Sequence, residues 1–240
     1  MSLLLALACH TNVVPAGADS EPTEADRSDS VFDPSRVLRV DIELPEASWD
    51  ELRMQTRTFE DTIGHEDCQA EPFESPFTWF EASVTLDGQL LERVDVRKKG
   101  FLGSMSFEKP SLKLDLGEHV DGQTFSDVRR LTLNNSISDP SYLRQCLSYA
   151  WFADVGVPSP RCSLARVSVN GRDMGLFVNL EGIKGPMLER HYEHGDNNLY
   201  EGTLADFREA WTGTIEKKNN ETEDDWGDVE RLTAAAAVPD

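Results

Sequence analysis

Between Val94 and Leu116 the chain gathers the residue types that hold an anion. The run Val94-Asp95-Val96-Arg97-Lys98-Lys99-Gly100-Phe101-Leu102-Gly103-Ser104 is followed by Lys109-Pro110-Ser111-Leu112-Lys113-Leu114-Asp115-Leu116. From residue 93 to 113 there are six lysines and arginines (Arg93, Arg97, Lys98, Lys99, Lys109 and Lys113) against two acids, Asp95 and Glu108. This basic island lies in a chain with 44 Asp and Glu, 23 Lys and Arg and a net charge of −21. Gly100 and Gly103 let backbone N–H groups approach an anion closely, and the Ser104 hydroxyl adds a donor. Lys113 adds a point charge on the polar side of a strand. A bare hairpin turn and a solvent-facing lysine are the plainer readings of the same residues.

The elements that must position these groups follow from periodicity. Val37 to Leu44 alternates as a strand, and Pro45 starts a short helix through Trp49, Leu52 and Met54. Phe80 to Leu86 meets Asp87-Gly88, a tight-hairpin signal, and the return strand is Leu90 to Lys98. In Ser111 to Leu116 the leucines share one face, and Ser111, Lys113 and Asp115 share the other. The best helix is Asp139 to Val155, capped by Ser138 or Asp139, with Leu143, Cys146, Leu147, Ala150 and Trp151 on one apolar face. A second hairpin turns at Asn170-Gly171 and ends near Leu180. Glu181 follows, and reads as either a group meeting the base or ribose of a nucleotide or an ordinary exposed acid. Beyond it, Gly182 to Tyr192 and Val229 to Val238 read as helices, and residues 197–202 as a strand or turn.

At 240 residues, 39% apolar and 28% charged, the chain has room for one sizeable core plus tails. The acidic balance excludes a general nucleic-acid binder. No apolar run approaches the roughly 20 residues that span a bilayer. The histidines show no metal-cluster spacing, so no protein metal site is expected. Residues 10–36 read as a flexible linker. Before them, Leu3-Leu4-Leu5-Ala6-Leu7-Ala8-Cys9 resembles the end of a bacterial lipoprotein signal, with Cys9 as the acylated residue. No Lys or Arg precedes it and it is short, as a start codon assigned too far downstream would make it. An incidental Cys in an unordered N-terminus is the alternative. With Cys9 lipidated, Cys68, Cys146 and Cys162 allow at most one internal disulfide. Cys146 and Cys162 flank one helix–loop unit and can pair, or both can be buried small apolar groups.

Order and spacing resemble the CotH-type (spore-coat protein H) kinase family, a group of atypical protein kinases. The matching segments are Val96 to Ser104, Lys109-Pro110-Ser111-Leu112-Lys113, Leu131-Thr132-Leu133-Asn134-Asn135 and Asp139-Pro140-Ser141-Tyr142-Leu143-Arg144. They continue in Gly156-Val157-Pro158-Ser159-Pro160-Arg161, Val169-Asn170-Gly171 with Gly175, and Asn198-Leu199-Tyr200-Glu201-Gly202. The resemblance implies an α+β fold like the small lobe of a kinase. It would be a twisted antiparallel sheet with one packed helix over residues 37–181, with a second lobe starting at 182–240. It implies a phosphate-covering loop at Gly100, Gly103 and Ser104, Lys113 as the nucleotide-binding lysine, and Glu181 at the lobe junction. It implies ATP with Mg or Mn as cofactor in the intact protein, and a nucleotide and a protein substrate as partners. Arg144 falls where the family has its helix arginine. The family's Asp…Asn catalytic loop and metal-binding Asp are not recognisable in residues 203–240. The chain therefore reads as an exported, membrane-anchored, fragment-like member without catalytic residues, inactive alone. The alternative is a non-catalytic surface module built on the same lobe.

Overall fold

The structure is a computed structural model and describes residues 26–63, 68–208 and 211–237. Cys9 lies outside the described residues. Seven strands close into a barrel: β1 Val37–Glu43, β2 Phe80–Leu86, β3 Gln89–Lys99, β4 Ser111–Asp115, β5 Arg130–Asn134, β6 Cys162–Val169 and β7 Arg172–Glu181. Their order around the wall is β1-β2-β3-β4-β5-β7-β6. The expected twisted antiparallel sheet is thus a closed barrel, and its seam is a parallel pairing of β1 with β6, Val37 against Leu164 through Ile42 against Val169. Closure leaves no exposed strand edge.

Both hairpins form where the dipeptides place them. Asp87, Gly88, Asn170 and Gly171 all take positive φ, the backbone that a tight two-residue turn between twisted strands requires. Alternation then sorts the side chains. Leu38, Val40, Ile42, Val84, Leu86, Val94, Val96, Leu112, Leu114, Leu131, Leu133 and Val167 are buried and point into one core.

Two short elements plug this core. In helix α1, Glu46–Met54, Trp49 and Leu52 are buried. Lys98, on the inner side of β3 and fully buried, donates from Nζ to the carbonyls of Arg53 (2.6 Å) and Gln55 (2.5 Å). It satisfies carbonyls that the end of α1 leaves without helical partners. The 3-10 helix Arg27–Val31 and the residue after it bring Val31 and Phe32 into the core. Residues 27–32, inside the stretch read as a linker, are therefore part of the packed fold.

Helix α2 is a single turn, Glu60–Ile63, and helix α3 spans Arg144–Asp154. The longer helix expected from Asp139 starts late because Tyr142 takes a positive φ of 59°. Asp139 still caps it, since its Oδ2 accepts from Arg144 N at 2.9 Å. Periodicity promised a packed apolar face on α3, yet none of its residues is buried, and Leu147 and Trp151 are each 69% exposed. The packed helix is α1.

Past Glu181 come α4 Gly185–His191, β8 Tyr200–Gly202, β9 Ile215–Lys217 and α5 Gly227–Ala236. Strands β8 and β9 form a separate two-stranded sheet. Strand β9 arises in a stretch that reads only as acidic and polar. Its Ile215 is buried. Among the described residues, no helix is long and apolar enough to cross a membrane.

Candidate functional site

Register places the cations. Arg97 of β3 lies opposite Lys113 of β4, and Lys99 lies opposite Ser111. Because neighbours in a strand point to opposite sides, Val96 and Lys98 face the core while Arg97, Lys99 and Lys113 share the outer face. Lys113 in turn lies beside Thr132 of β5, and Thr132 beside Leu180 of β7.

The outer face here is not open solvent. Burial first, and then the charge of Arg97, push the Lys113 ammonium below its ordinary value, with Glu201 of β8 opposing and Lys218 and Lys184 adding to the shift. Lys99 is pushed down to about 8, by burial first and then by Lys113, again with Glu201 opposing. Lys218 pairs with Glu216 and with Glu201 at 3.1 Å, and Lys184 with Glu221 at 3.1 Å. Lys113 and Arg97 differ from these two: among the described residues, neither has a hydrogen-bond or ion-pair partner. The Arg97 guanidinium lies 4.7 Å from the Trp79 ring centre, and its Nε is buried without an acceptor. Crowded, partly dehydrated cations without a direct ion-pair partner are costly unless an anion joins them.

The glycine turn borders this row. A Cβ on Gly100, whose φ is 148°, would come within 2.9 Å of Ser104 Oγ, so only glycine fits there. The Ser104 hydroxyl accepts from Phe101 N at 3.1 Å and donates to Phe101 O at 3.2 Å. It closes the turn and has its donor committed. A side chain at Gly103 would meet nothing within 4 Å, so close packing does not require that glycine. Asn135, buried, fixes the turn to the start of β4 by donating from Nδ2 to Ser104 O at 3.1 Å and Lys109 O at 2.8 Å. A cleft of about 600 Å³ opens between the turn and α3, lined among others by Lys99, Ser104, Asn134, Arg144 and Gln145. Arg144 reaches into it with a mostly exposed side chain, 3.6 Å from Asp139.

Glu181 is neither an exposed acid nor a group facing the cations. Leu131, its partner in β5, points into the barrel, and so does Glu181. Its carboxylate accepts from Arg161 Nη2 at 2.8 Å and Arg161 N at 2.9 Å, and from Arg190 of α4 at 2.6 and 2.5 Å. Burial alone would raise its pKa; the hydrogen bonds from Arg190 and Arg161 hold it below the ordinary value. Both oxygens are occupied, so Glu181 clasps the barrel to α4. The outward residue at this junction is Leu180.

Cys146 and Cys162 form a disulfide that ties α3 to β6, and Cys68 is free. Among the described residues, no three His, Cys, Asp or Glu are grouped to hold a metal ion.

Sequence reasoning singled out Lys113 and counted Arg97 and Lys99 only within the basic island; the register of β3 against β4 is what puts all three on one face. Asn134, which holds Lys99, was marked only as part of a matching segment, and Gln145, which holds Asn134, carried no signal before the fold brought the two together.

Fold and site together define an α+β protein with a cation-lined cleft on the outside of a closed barrel. The family profile described as CotH kinase protein matches residues 96–237, more than half of the chain, and the chain belongs to that family. The match includes Arg97, Lys99, Lys113 and Glu181. Over 61 residues the chain is 36% identical to the inner spore coat protein H of Bacillus subtilis (strain 168), covering 25% of this chain and 17% of that protein. Over 85 residues it is 38% identical to the inner spore coat protein H-like protein of the same organism, covering 35% of this chain and 26% of that protein. The chain thus matches about a quarter or less of the length of each relative.

Proposed function

We propose that the outer face of β3 and β4 holds the phosphates of ATP, and that the protein to which this chain belongs is an exported atypical kinase transferring phosphate to protein hydroxyls. The observation that carries the reading is the pair Arg97 and Lys113, two adjacent cations with no carboxylate paired to either among the described residues, with the Arg97 Nε buried and lacking an acceptor. Family membership supplies the class of reaction. Positioning and charge neutralisation are most of what a phosphoryl-transfer protein provides. Here Arg97 and Lys113 would bind phosphate oxygens, Lys99 would extend the row toward the glycine turn, and Trp79 would shield Arg97 from water. A divalent ion, when bound, would offset the charge of the phosphates. The Cys146–Cys162 disulfide supports export, because such bonds persist in oxidising compartments. Lipid anchoring at Cys9 belongs to the same reading, and palmitate-analogue labelling of wild type against Cys9→Ser tests it.

Calorimetry with ATP and Mg²⁺ tests the site. Lys113→Ala and Arg97→Ala should each weaken binding by about tenfold or more, the value of a charge-assisted hydrogen bond. Lys184→Ala should change it little, because Lys184 already has Glu221 as partner. Equal affinity in all four proteins would remove the site from this face and leave a non-catalytic module as the better account.

A further inference from the structure

Lys99 is held by amides. Its Nζ donates to Asn134 Oδ1 at 2.6 Å, and Asn134 Nδ2 donates to Gln145 Oε1 at 2.8 Å. Gln145 is the second residue of α3, next to Cys146, whose disulfide fixes that end of the helix to β6. The chain Gln145–Asn134–Lys99 therefore runs from a tethered helix, across the end of β5, to the cationic row on β3. Helix α3 contains no glutamate, and its one acid, Asp154, is at its far end. A carboxylate in the place of Gln145 or Asn134 would neutralise Lys99 and repel a phosphate. A neutral amide orients the ammonium and leaves its charge to a ligand.

We propose that Asn134 and Gln145 are the positioning residues of this site: Gln145 on α3 orients Asn134, which holds Lys99 at the mouth of the cationic cleft in line for an anionic oxygen. The proposal rests on the phosphate-binding reading above. It makes the position of α3 a determinant of anion affinity through one lysine.

The test uses the full chain, inorganic tripolyphosphate and two readouts. Calorimetry compares wild type with Asn134→Ala, Gln145→Met, Lys99→Ala and the double variant Lys99→Ala/Gln145→Met. Gln145 is only half-buried, and methionine keeps its length without an acceptor, so folding is retained. Asn134→Ala and Gln145→Met should each weaken binding about threefold to tenfold. Lys99→Ala should weaken it at least as much, and the double variant no more than Lys99→Ala alone, because both changes break one chain. The second readout needs no ligand. The pH profile of Lys99 acetylation, followed by mass spectrometry, should have its midpoint near the value of about 8 that burial imposes, and in Gln145→Met it should rise toward the ordinary 10.5 as the amine swings into water. The other charges facing Lys99, from Lys113, Arg97 and Glu201, are unchanged in that variant. An unchanged profile, or losses that add in the double variant, would overturn the positioning role. A shifted profile in a wild type that binds no tripolyphosphate would keep the relay and overturn the phosphate-site reading instead.

Discussion

Leu180 and Glu181 are neighbours in β7, yet they face opposite sides of the barrel wall. One step along the strand separates the cationic outer face from the inner clasp of Arg161 and Arg190. From the sequence, Glu181 could only be placed at a strand end. Its two arginines lie 20 residues before it and 9 after it, and no local pattern announces them. The same holds for Lys98, Lys99 and Lys113. Alternation separates Lys98 from the other two, but the acids that leave Lys113 unpaired and satisfy Lys218 come from β8 and β9. The clasp has a measurable consequence. In Glu181→Gln, Arg190 loses its charge partner while Arg161 keeps Asp26 and Asp29, and because both arginines are partly exposed the cost should be about 2–3 kcal/mol by urea denaturation at neutral pH. The folded carboxyl has a pKa below its ordinary 4.5, so its contribution is complete above the unfolded value and disappears as pH falls through the lower folded value. The stability gap between wild type and Glu181→Gln should therefore narrow in acid. A gap that stays constant down to about pH 3 would mean that the carboxylate charge does not hold the clasp.

At the scale of elements, the hairpins and the strand phases were legible, because turn dipeptides and alternation are local. The packing of α3 was not. Periodicity shows that a helix has an apolar face and is silent on what covers it. Here Leu143, Leu147, Trp151 and Phe152 remain exposed, and the helix is joined to the barrel by Cys146–Cys162 and the Asn134–Gln145 hydrogen bond. With so little burial, the disulfide should supply much of the docking free energy. A bond closing a loop of 16 residues is worth about 3 kcal/mol in the chain-entropy account. In Cys146→Ser/Cys162→Ser, hydrogen exchange across residues 144–154 should speed up strongly while β1 to β4 keep their protection. Equal acceleration in helix and barrel would show that the bond stabilises the fold as a whole. Unchanged exchange would show that side-chain contacts suffice.

At the scale of the whole molecule, barrel closure lay beyond sequence reading for a physical reason. The seam pairs β1 with β6 across more than a hundred residues, and an alternating strand offers two edges without stating their partners. Charge is the other global property, and it opposes the proposed function. The chain carries a net charge of −21, while Arg97, Lys99 and Lys113 form a small positive patch on the outer face of β3 and β4, with Lys99 at the edge of the cleft. At low salt the long-range field should repel a polyphosphate before the cleft can attract it. The Debye length is about 30 Å at 0.01 M salt and about 8 Å at 0.15 M. Added salt therefore screens the distant acids far more than contacts made inside a half-buried cleft. The association rate of a fluorescent ATP analogue, measured by stopped flow, should rise between about 0.01 and about 0.15 M potassium chloride. A site on a protein of matching positive charge would show the reverse. A rate that falls steadily over this range would mean that the cleft's own field dominates at distance and that the surrounding acids do not gate its access.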